Sequence, residues 1–215
     1  EEKAQIEIKK READMMMLQR QIRPHFLYNT LDNICALAEL DEKETLIQLV
    51  MNLSSFYRSS LSNGKMHISI GQELEISRAY LEILQIRYFH KFDFTITCPE
   101  ALKNYSCIKL LLQPILENSI YHGIKGLDRH GILHIEAEDA GDCIRFTISD
   151  NGRGFSKEDY EKIWQQDADH FGIKSIQQRI LLYYGPGYGL SMESPQTGGC
   201  ITVITLPKQE GLPCH

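Results

Sequence analysis

The chain has 215 residues, 42% of them hydrophobic, and a formal net charge of −6. That length allows one sizeable core plus an accessory element, and the acidic balance argues against nucleic acid as a partner. No run approaches the ~20 apolar residues of a membrane span, no secretory pattern is present, and six cysteines without CxxC or His/Cys metal spacing read as reduced cytosolic thiols. The first residue is Glu1, not methionine, so the chain reads as an excised fragment lacking an upstream membrane or sensor part.

Residues 1–22 place Ala4, Ile8, Met15, Leu18 and Ile22 near a heptad seam, with Arg11 in the missing position. Such a seam suits a helix entering a parallel dimer; the alternative is a solvated amphipathic helix on its own chain. Leu27, Leu31, Ile34 and Ala38 continue a helical stripe past Pro24, where a kink is expected. His25 lies two residues before Leu27, roughly 200° around at ~100° per residue, and so faces away from the stripe. An exposed neutral imidazole can act as a nucleophile, and it can equally be a surface or interface histidine. Asp41 with Glu44 has the form of a capping box opening a second helix, with Leu46, Val50, Leu53, Tyr57 and Leu61 on its apolar face. Residues 25–40 and 44–62 then form an antiparallel hairpin, two of which make a four-helix bundle, and Ser62-Asn63-Gly64 marks a domain boundary.

Beyond it, 67–70 read as a short strand and the residues to 90 as a helix. Phe92, Phe94 and Ile96 alternate as a strand, and a helix is expected from about Ile108 to Tyr121. That helix carries Glu117 and Asn118 side by side. An Asn carboxamide oxygen is a hard ligand suited to Mg²⁺, and a neighbouring carboxylate can orient a nucleophile or accept its proton. His122, four residues on, either lines the same site or makes a structural bond at the helix end. Lys125 and Arg129 read first as solvated loop charges, with contact to a phosphate as the alternative.

Residues 132–138 and 143–149 form a hairpin in which Ile144, Phe146 and Ile148 alternate with polar residues and deliver Asp150 to a sheet edge. Asn151-Gly152-Arg153-Gly154-Phe155 comes next, where small residues let backbone approach a flat or phosphorylated ligand and the Asp150 carboxylate can accept from an exocyclic amine. A plain glycine turn after a strand is the bland alternative. Gly172 opens an apolar-periodic helix whose free amides can meet phosphate, with Lys174 adding charge. Gly198-Gly199-Cys200 opens the last strand, Ile201 to Leu206.

The order of these motifs, an asparagine helix, then Asp-Asn-Gly-Arg-Gly-Phe, then a glycine-led helix, resembles the ATP-binding domain of the GHKL superfamily. Pro24-His25-Phe26-Leu27-Tyr28-Asn29 is similar to the phosphoacceptor box of LytS/YesM-type sensor histidine kinases, and the likeness spans roughly residues 18–207. The resemblance implies an α+β chain. Residues 1–62 would be a helical dimerisation and phosphoacceptor domain forming a dimeric four-helix bundle, and residues 63–215 a GHKL-type α/β sandwich. It also implies Mg²⁺ on Asn118, adenine read by Asp150, a nucleotide framed by Gly152, Gly154 and Gly172 with Lys174 near its phosphates, and ATP-dependent phosphorylation of His25 with Glu117 as partner. The phosphate would pass to a response regulator receiver domain. The chain would be a homodimer and the cytoplasmic portion of a membrane sensor, with an ATP lid between Phe155 and Phe171 that includes Trp164. The sequence departs from the family pattern at Arg23, His170, Ser175 and Cys200, the last where a threonine commonly supports adenine. A degenerate nucleotide-sensing module, a GHKL ATPase with a structural His25, and a coiled-coil scaffold are the rival readings.

Overall fold

The computed structural model describes residues 24–60, 66–164 and 171–210. The heptad seam of residues 1–22, the boundary at 62–63 and His170 lie outside the described residues, and the expected kink at Pro24 falls at their edge.

Helices α1 (Pro24–Glu39) and α2 (Lys43–Ser60) form the hairpin. Asp41 does not cap α2. It takes a left-handed conformation (φ 57°), with the Glu42 amide donating to Leu37 O and the Asp41 amide to Ala38 O. This is a Schellman ending of α1, a conformation that aspartate tolerates because its short polar side chain bonds locally. The expected apolar stripe of α1 is also displaced. Phe26 and Thr30 are the buried positions, whereas Leu31 and Ala38 are exposed. On α2 the inward residues are Leu49, Asn52, Phe56 and Ser60, at helical spacing.

Strand β1 (His67–Ser69) leads into helix α3 (Ile70–Arg87), which starts at a capping box in which the Ser69 hydroxyl accepts from the Gln72 amide and Gln72 returns the bond. Ten of its residues are buried, on nearly every side, so α3 is enclosed between the hairpin and the C-terminal half of the chain. Tyr80 of α3 meets Phe26 and Phe56 at ring-centroid distances of 5.2 Å and 5.8 Å, and those two rings lie 5.5 Å apart.

A five-stranded mixed sheet carries the rest. It consists of β2 (Phe92–Thr97), β4 (Gly131–Asp139), β5 (Cys143–Asp150), β6 (Gly189–Glu193) and β7 (Cys200–Pro207), in the order β2-β4-β5-β7-β6. Only the β2–β4 pair is parallel. Alternation sends Leu133, Ile135 and Ala137 inward with Ile144, Phe146 and Ile148, and leaves Ile132, His134 and Glu136 exposed. A small strand β3 (Ser106–Ile108) pairs antiparallel with β1.

Helix was expected from about Ile108, yet α4 spans only Gln113–Asn118. Leu110 is left-handed (φ 54°), and the buried Glu73 carboxylate explains the break: Oε2 accepts from the Leu110 amide at 2.8 Å and Oε1 from the Leu112 amide at 2.9 Å. Helices α5 (Lys157–Trp164) and α6 (Phe171–Tyr184) complete the fold. Among the described residues no helix is long and apolar enough to cross a membrane.

Phe56 is 1% exposed. Phe56→Ala is therefore expected to cost about 3–4 kcal/mol through the cavity left against Tyr80 and Phe26. Urea unfolding should show a lowered midpoint; a loss below about 1 kcal/mol would mean that these rings do not hold the hairpin to α3.

Candidate active site

Two walls, each bent into place by specific backbone contacts, enclose a cleft. The first is α4, which ends in Glu117 and Asn118 and passes without interruption into a π-helical turn, Ser119–Ile124. The wider turn is closed by bonds such as the Lys125 amide to Ile120 O at 2.8 Å. Single π turns of this kind interrupt helices chiefly where a functional surface has to be shaped.

The second wall starts at Asp150, the last residue of β5, which pairs with Leu133 of β4 and Cys200 of β7. Asn151 prolongs the ladder with its side chain, accepting from the Ile132 amide at 2.8 Å and donating to His130 O at 3.1 Å. Gly152 then runs against the π turn: a Cβ there would stand 2.7 Å from Gly123 Cα and 2.6 Å from Asp150 Oδ1, so no side chain fits. Gly154 has φ 71°, the left-handed region that glycine enters without strain. The walls are tied by the Arg153 amide donating to Gly123 O at 3.1 Å, and Arg129 braces the loop from outside through Asn151 O at 2.5 Å.

Asn118, Ser119, His122 and Gly123 line the cleft on one side and Asp150, Arg153, Gly154 and Phe155 on the other, with Cys200 and Asp159 completing it. Asp150 Oδ1 accepts from the Gly152 amide at 2.8 Å, whereas Oδ2 is buried with no hydrogen-bond partner among the described residues. Burial pushes the Asp150 carboxyl above its ordinary range, opposed by nearby Ser119 and by the amides of Gly152 and Cys200. Burial likewise pushes the Cys200 thiol up to about 11, although the Thr202 hydroxyl, 3.6 Å from its sulfur, works the other way. Among the described residues no three His, Cys, Asp or Glu side chains converge as a metal cage. Asn118 offers a single hard oxygen.

Of the residues singled out in the sequence, Asn118, Asp150 and Gly154 meet in the cleft, and Gly152 backs it. Glu117 is buried beside it, with Gln113 Nε2 donating to Oε1 at 3.3 Å. Gly172 and Lys174 do not line the cleft. Gly172 instead faces Pro114, whose Cβ would lie 3.3 Å from an added methyl, so the start of α6 packs on the start of α4. His25 is exposed on the first turn of α1, outside the cleft, next to the anchored Phe26. Ser119, Gly123 and Asp159 escaped as cleft residues, and Arg153 was read only as part of the glycine turn. Gly123 alone left a usable signal, a glycine directly after the asparagine helix. Over the cleft's edge, Ser156 and Asp159 form a reciprocal cap of α5, and the Phe155 and Tyr160 rings stack at 5.8 Å with Trp164 edge-on to Tyr160 at 6.0 Å.

Residues 13–92 match a family model described as histidine kinase, and residues 105–210 one described as histidine kinase-, DNA gyrase B-, and HSP90-like ATPase. Over 197 residues the chain is 33% identical to the sensor histidine kinase YesM of Bacillus subtilis (strain 168), which takes in 92% of this chain and 34% of that protein. The chain thus spans about a third (34%) of the length of that curated relative. Among solved structures, the histidine kinase domain of a blue-light activated histidine kinase from Erythrobacter litoralis superposes with TM-score 0.51 at 18% identity, over 92% of this chain and 95% of that one. The histidine kinase ThkA, solved in complex with the response regulator protein TrrA, does so with TM-score 0.52 at 15% identity, over 96% of this chain and 66% of that one. These structural likenesses speak to fold. A histidine-kinase match over the hairpin and α3, together with an ATPase match over the sheet that bears the cleft, means that this chain belongs to the histidine kinase family.

Proposed function

We propose that the chain is the catalytic core of a two-component sensor histidine kinase, which binds Mg-ATP in the cleft, phosphorylates His25 and passes the phosphoryl group to an aspartate of a response regulator. The observation that carries this reading is Asp150 Oδ2, a buried carboxylate oxygen that no donor among the described residues reaches in hydrogen-bond geometry, although Ser119 and the Cys200 amide lie near the carboxylate, in a cleft whose facing wall holds Asn118. Such an atom is costly unless a ligand completes it, and the exocyclic amine of adenine is a donor of the required kind.

Asn118, with one hard oxygen at the cleft, fits Mg²⁺ that takes its other ligands from phosphate oxygens and water. When bound, Mg²⁺ supplies charge neutralisation at the phosphates. Gly152 and Gly154 keep the nucleotide-facing backbone bare, Gly172 seats α6 against α4, and Lys174 contributes a positive charge near that junction. A His25 ring nitrogen bonds to the γ-phosphorus as the bond to the bridging oxygen breaks and ADP leaves. Glu117, steadied by Gln113, takes the imidazole proton. Because His25 stands outside the cleft, the ATP-binding part has to swing toward a His25 of its own or of a second protomer.

A homodimer is supported by the outer face of the hairpin, where Tyr28, Leu31, Leu40, Ile47, Val50 and Met51 remain exposed. Residues 1–62 serve in this reading as the dimerisation and phosphoacceptor domain and 63–215 as the catalytic domain. Transfer to a response regulator is supported by the family and by the ThkA complex. The same reading puts the chain on the cytoplasmic side of a membrane sensor, where ATP is available.

Incubation with Mg²⁺ and γ-labelled ATP should give acid-labile, base-stable label on the wild type and none on His25→Gln or Asn118→Ala. Nucleotide binding without label would favour a sensing module, and phosphate release surviving His25→Gln would favour an ATPase. Replacing Leu31 and Met51 by Glu is expected to turn a dimer into a monomer in light scattering; an unchanged mass would move the interface elsewhere. Asp150 supplies a pH test. Its folded pKa is raised, so its contribution to stability is present below the ordinary carboxylate value of about 3.9 and is lost as pH rises through the folded value. Ligand-free Asp150→Asn should therefore melt higher than wild type at about pH 7, with the advantage fading toward about pH 4, while losing nucleotide affinity. A lower melting point at neutral pH would make the carboxylate a structural part of the loop.

A further inference from the structure

Helix α3 contains a carboxylate that the proposed transfer does not use. Glu73 has no exposed surface, and its two oxygens accept the amides of Leu110 and Leu112. Arg179 of α6, also buried, supplies the opposing charge and donates to Lys109 O at 2.8 Å. The turn that enters α4 is therefore held from two helices, by Glu73 of α3 through the turn's amides and by Arg179 of α6 through Lys109 O.

The turn is not what its residues prefer locally. Ile108-Lys109-Leu110-Leu111-Leu112, four aliphatic residues and a lysine, would extend α4 backwards, and Leu110 is held left-handed instead. Each residue by which a helix start shifts turns its later side chains by ~100°. Glu117 and Asn118 lie within the next six residues, so their direction depends on where α4 begins. Tyr80 stands seven residues after Glu73, hence on the same face of α3 and about 10 Å along it, where it holds Phe26 beside His25.

We propose that Glu73 is the positioning residue of the nucleotide site: by capturing the two amides ahead of α4 it sets the direction of Glu117 and Asn118, and with Arg179 it keeps α6 in register with them. The activity readout rests on the function proposed above; a second readout does not. Cys107, fully buried on β3 at the head of this turn, is reached by reagent only when the turn opens, so its accessibility reports whether the turn holds.

The test compares full-length wild type with Glu73→Gln, which keeps the volume but turns an NH₂ toward one of the amide donors. A fluorescent ATP analogue gives Kd, labelled ATP gives kcat/KM, and peptide-resolved mass spectrometry follows alkylation of Cys107, all well below the melting temperature. Losing one charge-assisted bond should raise Kd about tenfold, lower kcat/KM at least as much, and speed Cys107 alkylation about tenfold. Arg179→Lys, which keeps a cation in the core, should shift all three in the same direction by about threefold, and it carries the test if Glu73→Gln does not fold. A brace for stability alone would lower the melting temperature and leave Kd and alkylation unchanged in the folded range; that result overturns the proposal. If wild type binds no ATP analogue, the function proposed above falls and a role at a nucleotide site falls with it; Cys107 then decides only whether Glu73 sets the turn ahead of α4, which faster alkylation in Glu73→Gln supports and an unchanged rate refutes.

Discussion

A helix enclosed on nearly every side has to find partners for whatever polar groups surround it, and the architecture depends on how α3 does so. Near its first turn the solution is complete, with both oxygens of Glu73 occupied by amides and a guanidinium close by. Further along, the contact with the hairpin is made by rings, and the polar groups there are less well served. Asn52 Nδ2 and Ser60 Oγ, both on the buried face of α2, have no hydrogen-bond partner among the described residues. Each such group opposes burial by on the order of 1–3 kcal/mol. The joint between α3 and the turn that enters α4 is thus locked, while the joint between α3 and the hairpin is a balance of aromatic packing against unsatisfied polarity. With His25 outside the cleft, the transfer proposed above requires one part to move, and the second joint is the one suited to it.

The cleft shows the same trade between stability and use. Asp150 is buried at the end of a strand where an apolar residue would pack at no electrostatic cost, and one of its oxygens is left without a donor. Gly152 and Gly154 give up side-chain packing so that two stretches of backbone can run close together. The neighbouring thiol of Cys200, held protonated by burial, makes the floor less polar than a hydroxyl would. The nucleotide proposed above would complete what folding leaves open.

The aromatic group at the rim gives α5 a defined seat. The Ser156–Asp159 cap fixes where α5 starts, and the Phe155–Tyr160–Trp164 rings lay it beside the cleft. Trp164 is the only tryptophan of the chain, so its environment tracks any movement of that helix.

Alternation of period two was enough to find β4, β5 and β7 within a residue or two, because a half-buried strand writes its two faces into the sequence. The Asp150–Gly154 turn and the Glu117–Asn118 pair were legible for a similar reason: their chemistry is carried by residue types that few other roles require. Local pattern did not reveal the left-handed Asp41, the break at Leu110, or the choice of Phe26 and Thr30 over Leu31 as the inward face of α1. In each case the deciding partner is distant or is the chain's own backbone. The acceptor for the Leu110 amide lies 37 residues away, and the rings that draw Phe26 inward belong to two other helices. The sequence by itself therefore determined which elements form and which chemical groups they carry, since those depend on spacing within a few turns. Only the tertiary structure decided where α4 begins, which face of α1 is buried and which predicted residues share the cleft, because a buried polar group is satisfied by whatever the fold brings to it.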